Sequence, residues 1–231
     1  MVSHHAATMV RQDLVRLCHS GLDSLGLRAQ AIHRLRRTLP IDSFWFATAD
    51  PATLLPTGSL VEAIPEQATP LFLANEFSQD DVNKFTQLAV ARLPVNSLYH
   101  ATRGHLEQSP RYRDILMPLG FGDELRAALS TGGSCWGFMC LHRELKGSSF
   151  SPVEADLLAT IVSISHMGCE PRFCSIEPKA GTTSMDPDCS CWRTIFLWWL
   201  RRPRATDGWR RLPIIRSDKV CRRWCMRRLR G

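Results

Sequence analysis

The chain has 231 residues, room for one domain of about 150 to 200 residues and a remainder, and too little for two full-sized domains. An apolar fraction of 44% and a charged fraction of 22% exclude a collagenous, coiled-coil or wholly disordered chain. The net charge of +7 hides a split, because residues 169–231 hold 15 Lys+Arg against 6 Asp+Glu and residues 1–168 hold 14 against 16.

The amino terminus, Met1-Val-Ser-His-His, has neither the basic region nor the apolar core of a signal peptide, so a cytoplasmic location is expected and residues 1–7 are expected to be disordered. Val10, Leu14, Val15 and Cys18 recur at helical spacing, and Ala31, Ile32, Leu35 and Leu39 do so again before Pro40. Phe44-Trp45-Phe46-Ala47 is a continuously apolar run that suits a strand covered on both faces, stopped by Asp50-Pro51. Leu60 to Ala63 offers a return strand.

Residues 64–120 read as helices and loops. Val82, Phe85, Leu88 and Ala89 follow Ser78-Gln-Asp-Asp81, whose serine and acidic side chains fit a helix start. Ser109-Pro110 places a cap and a first-turn proline ahead of Tyr112, Ile115, Leu116 and Leu119. A hairpin follows: Leu125, Ala127 and Leu129 alternate with Glu124, Arg126 and Ala128, Gly132-Gly133 supplies the turn, and Cys135 to Leu141 returns, apolar at both parities and so central in a sheet. Ser151-Pro152-Val153-Glu154 is a capping box opening a helix with Leu157, Leu158, Ile161 and Val162 on one stripe. One antiparallel sheet with helices segregated to a face buries all these stripes, which predicts an α+β domain.

Several stretches form a recognisable series: Gly21-Leu-Asp23, Leu35-Arg-Arg-Thr-Leu-Pro40, Asp50-Pro-Ala-Thr-Leu54, Arg113 to Gly120, Gly122-Asp-Glu-Leu-Arg126 and Trp136-Gly137. Together they resemble the amino-terminal GAF-like sensor domain of LuxR-type transcriptional regulators, over about residues 8–167. The resemblance implies a central antiparallel sheet with helices on one face and a helical insertion over the other, a small-molecule ligand under that insertion, and a homodimer through the terminal helices. In such regulators a carboxy-terminal helix-turn-helix reads DNA. Here the sequence leaves the pattern after Ser163-Ile-Ser-His166, so DNA binding is not expected of this chain and a truncated or frameshifted form of the regulator is.

Residues 168–231 form an irregular basic tail carrying six of the nine cysteines and five of the seven tryptophans. Its arginines and tryptophans suit phosphate neutralisation and base stacking, the basis of an alternative reading as a nucleic-acid binder. Arg, Trp and Cys are also what a G/C-rich coding region yields out of frame. The cysteine spacings C-x₄-C, C-x-C and C-x₃-C contain no C-x₂-C pair, which argues against zinc there. The longest apolar cluster, Ile195 to Leu200, is far short of a membrane span, and no membrane partner is expected.

Inside the domain no catalytic constellation, metal set or cofactor motif stands out. His100, His105 and His142 lack a serine or cysteine at a familiar spacing, and Cys135 and Cys140, five apart, are expected on opposite faces of their strand. A small redox or ligand-binding enzyme using these groups is the remaining alternative. The candidate ligand pocket is formed by Phe46, Trp136 and Phe138 with Tyr99 and Arg103 as polar contacts.

Overall fold

The computed structural model describes residues 4–162. Helix α1 (His4–Cys18) begins inside the stretch expected to be disordered, and its stripe of Val10, Leu14 and Leu17 is buried. Helix α2 (Ser24–Leu35) starts where Asp23 accepts the Gly26 N–H at 2.7 Å, an N-cap that satisfies one of the helix's unpaired amides. It ends at Leu35, earlier than the Leu39 periodicity predicts, although Leu39 is still fully buried beyond the helix.

Strands β1 (Ser43–Ala49) and β2 (Pro56–Glu62) pair antiparallel, as expected for the return segment. Strand β3 is short (Val95–Ser97), and β4 (Phe121–Thr131) and β5 (Ser134–Glu144) form the long hairpin. Its two-residue turn, Gly132-Gly133, has φ of +59° and +81°, the pair of positive values a type I′ turn demands and β-carbons oppose. The sheet is five-stranded and antiparallel in the order β2-β1-β5-β4-β3, so the apolar β5 lies at its centre. The domain is α+β, with the expected sheet.

Helix α6 (Pro152–Val162) opens on the capping box: the Ser151 N–H donates to Glu154 Oε2 at 2.8 Å, and the Glu154 N–H reaches Ser151 Oγ at 3.4 Å. It joins α1 and α2 on one face of the sheet. Their buried residues, Leu14, Ile32, Leu157 and Leu158 among them, pack with Phe44, Phe46, Leu125, Met139 and Leu141 into the larger apolar core.

The other face lies under the segment between β2 and β4. Its main elements are α3 (Thr69–Ser78), α4 (Phe85–Val90), α5 (Leu98–Ala101) and a π-helical turn at Tyr112–Leu116. Here the expected helix start is corrected. Ser78 closes α3 instead of opening the next helix, and Asn83, buried with φ +56°, interrupts the chain before α4 begins at Phe85. Asp81 does not cap a helix either; its carboxylate accepts from Ser109 Oγ, Arg111 N and Asn75 Nδ2. Ser109 behaves as expected, its hydroxyl accepting the Tyr112 N–H at 3.2 Å. Among the described residues no helix is long and apolar enough to cross a membrane. The expectations for the basic tail, residues 168–231, lie outside the described residues.

Candidate functional site

The insertion-side face of the sheet is built in rows by the strand register. Ser43 pairs with His142 and His142 with Glu124; one row on, Trp45 pairs with Cys140, Cys140 with Arg126, and Arg126 with Asn96; then Ala47 pairs with Phe138 and Phe138 with Ala128. The first two rows are polar and the third is apolar. All of Glu124, Arg126, Cys140 and His142 are buried.

The alternation of β4 would suit a half-exposed strand, but both of its faces are buried. Glu124 and Arg126 alternate with Leu125 and Ala127 as a solvent-facing set would, yet both lie under the insertion. Burying a charge without a partner costs several kcal/mol, so such groups must be paired. Arg111, 0% exposed, provides the pairing from above. Its Nε donates to Glu124 Oε2 at 2.7 Å, Nη1 to Asn75 Oδ1 at 3.1 Å and Nη2 to the Val82 carbonyl at 3.2 Å, while Nη1 stands 3.6 Å from Asp81 Oδ2. Arg126 Nη1 donates to Glu76 Oε2 at 2.7 Å, and its guanidinium lies over the Phe85 ring, 4.6 Å from the centroid. Lys84 adds donation from Nζ to the Asn75 and Glu76 carbonyls.

The charges respond as the pairing dictates. Burial favours the neutral acid at Glu124, but Arg111 and Arg126, with a contribution from His142, hold its carboxyl well below the usual carboxylate range. Burial opposes the Arg126 cation, and Glu124 and Glu76 restore it and raise its proton affinity. The Lys84 ammonium is pulled below its ordinary value by burial. Burial also pushes the Cys135 and Cys140 thiols up, which favours the neutral S–H form at both.

The predicted pocket residues divide between the faces. Phe46 sits in the core beneath α1, α2 and α6, on the side away from Phe138. Phe138 is in the insertion-side cluster, stacked on Phe85 with centroids 4.3 Å apart, and Trp45 approaches the same Phe85 at 5.7 Å. Trp136 is partly exposed at the register shift where Leu129 pairs with Gly137 and Ser130 with Cys135. Tyr99 is 43% exposed at the start of α5, and Arg103, with φ +53°, is exposed in the following turn. The five residues therefore do not line one cavity; Phe138 alone faces the buried site.

The register shift also corrects the cysteines. One extra residue at Trp136 moves Cys135 into the same cluster as Cys140, both on the insertion side. His142 is 1% exposed, with the Phe121 ring stacked on it at 4.9 Å and the Phe72 ring at 6.5 Å. No sequence spacing announces Arg111 or Glu124 as partners, because the pairing depends on how the insertion folds back over β4.

No family model matches the chain, and no curated protein matches it. Among solved structures it is similar to the GAF domain/HD domain protein from Geobacter sulfurreducens, at 18% identity over 63% of this chain and 96% of that one, with a TM-score of 0.43. It is also similar to the A. aeolicus nlh2 GAF domain in an inactive state, at 13% identity over 70% and 94%, TM-score 0.42. A third, the phycoerythrobilin-bound GAF domain from a cyanobacterial phytochrome, aligns at 15% identity over 68% and 90%, TM-score 0.37.

Proposed function

We propose that residues 8–167 act as a noncatalytic regulatory domain of the GAF-like type, a small-molecule sensor from a LuxR-type transcriptional regulator. One observation carries the reading: the insertion is fastened to the central hairpin by buried ions, not by apolar packing alone. Glu76, Asp81, Asn75 and Arg111 come from the insertion, and Glu124 and Arg126 from β4. Buried ion pairs add little net stability over a well-packed apolar core, but they hold one geometry and forbid others. A polar ligand that exchanges partners with these groups would shift the insertion between two arrangements, which is what a sensor requires.

Phe138 forms the floor of the proposed ligand site, beside Phe85 and Arg126; Trp136 forms its rim, and Tyr99 and Arg103 belong to the neighbouring α5 turn. Helix α6 packs against the opposite face of the same sheet, including β4, and would relay the change to whatever follows it. Homodimerisation through the terminal helices would give that relay a second copy to act on.

The test is a thermal-shift screen of the full chain against small polar metabolites, followed by hydrogen exchange with each stabilising compound. The expected result is protection at residues 69–116 together with altered exchange in α6. Turnover of the compound, or protection confined to α1, contradicts the reading.

A further inference from the structure

The register places three ligand-type side chains together. Glu124 faces His142 across the β4–β5 hairpin, and Cys140 lies two residues before His142 on the same face of β5. A carboxylate oxygen, Sγ and a ring nitrogen from these residues all lie within 4.8 Å of one another, and all three residues are buried.

Ser43 sets the polarity of the His142 ring. Its hydroxyl donates to the Glu62 carbonyl at 2.8 Å, so toward His142 Nδ1, 3.5 Å away, it can only accept. In the neutral ring the proton therefore sits on Nδ1, and Nε2 presents a bare lone pair. That lone pair stands 3.4 Å from Glu124 Oε1, and neither atom has a hydrogen-bond partner among the described residues. Either a proton on Nε2 or a metal cation between the two atoms satisfies both, and Cys140 Sγ beside them supplies the third donor a metal takes. The nearby guanidiniums do not serve, because Arg111 Nε, at 2.7 Å, and Arg126 Nε, at 3.0 Å, approach the other oxygen, Oε2.

We propose that Glu124, Cys140 and His142 bind one divalent transition-metal ion of the zinc class. Thiolate sulfur, imidazole nitrogen and carboxylate oxygen are the mixed donor set such an ion takes. Donors around a tetrahedral zinc stand roughly 3.3–3.6 Å apart, so the observed triangle closes by small side-chain rotations. The Cys140 thiol proton leaves to solvent as the metal–sulfur bond forms, so the thiolate offsets one of the ion's two positive charges, and the Glu124 carboxylate is shared between the ion and the guanidiniums of Arg111 and Arg126. Ser43 is the outer partner that holds the ring, and a fourth position takes water or a small exogenous donor. Metal binding here does not depend on the domain's role as a sensor.

The six cysteines of residues 169–231 are the obvious competitors for a metal, so the test must count sulfurs. The reduced full chain, stripped with chelator and given one equivalent of zinc, should retain it, and X-ray absorption should show one sulfur and otherwise nitrogen or oxygen neighbours. With cobalt in place of zinc, a thiolate-to-metal charge-transfer band should appear. Cys140→Ser and His142→Gln should each weaken binding roughly 100-fold or more and Ser43→Ala about 10-fold, while Cys135→Ser leaves it unchanged. A shell of two or more sulfurs, failure of the wild-type chain to retain zinc, or equal affinity in folded Cys140→Ser overturns the proposal. If a variant does not fold, the wild-type sulfur count decides alone.

Discussion

Arg111 bridges elements that no stretch of local sequence connects: it touches Asn75 and Val82 in the insertion and Glu124 in β4. Replacing it by methionine keeps much of the volume but leaves Glu124 and Asp81 buried with fewer cations, so Arg111→Met should cost about 3–5 kcal/mol, read by urea denaturation at neutral pH. An unchanged midpoint would mean the charges are solvated. Gly122 gives a second test at the same scale. A β-carbon there would sit 2.9 Å from Leu145 Cα and 3.0 Å from the Glu144 carbonyl oxygen, both backbone atoms that cannot turn aside. Gly122→Ala should therefore destabilise by roughly 1–3 kcal/mol in the same assay. These residues also mark where sequence reading stopped. Glu124 and Arg126 alternate with apolar neighbours as exposed side chains do, and only the cover over β4, contributed by residues up to 50 positions away, turns them inward. Phe46 and Phe138 were likewise indistinguishable until the register of β1 against β5 assigned them to opposite faces.

Elements whose ends are signalled locally were legible. The Gly132-Gly133 turn fixed the hairpin and Ser151 with Glu154 opened α6, each through a hydrogen bond within three residues or a backbone angle. The elements of the insertion were misplaced because their boundaries are set by tertiary partners: Asp81, which looks like a helix cap, is spent on Ser109 and Arg111. The start of α6 carries a pH dependence. Burial alone would raise the Glu154 carboxyl, but hydrogen bonds from Arg143 and Ser151 and the Arg143 charge outweigh it and lower the carboxyl below its ordinary value. A depressed carboxylate stabilises the fold above the unfolded-state value and loses that contribution as pH falls through the folded one. Melting temperature should thus decline below about pH 4.5, and Glu154→Gln, less stable at neutral pH, should decline less steeply over the same range. Parallel curves for the two proteins would show that Arg143 does not hold the carboxylate.

At the scale of the whole molecule, charge separates two regions that composition averages together. Deleting residues 169–231 removes 15 of the 29 Lys+Arg and should abolish salt-sensitive adhesion to nucleic acid, measured by a filter-binding titration in increasing salt. Adhesion that survives the deletion would place the contact on residues 1–168. The strand order has a further consequence. Residues 63–94 must carry the chain from β2 at one edge to β3 at the other, across four strand spacings, or roughly 19 Å. Fewer than about seven extended residues would bridge that gap, and the connection is several times longer. Most of its length is thus not dictated by chain connectivity, so related chains can lengthen, shorten or rewrite the cover while leaving the five strands in place.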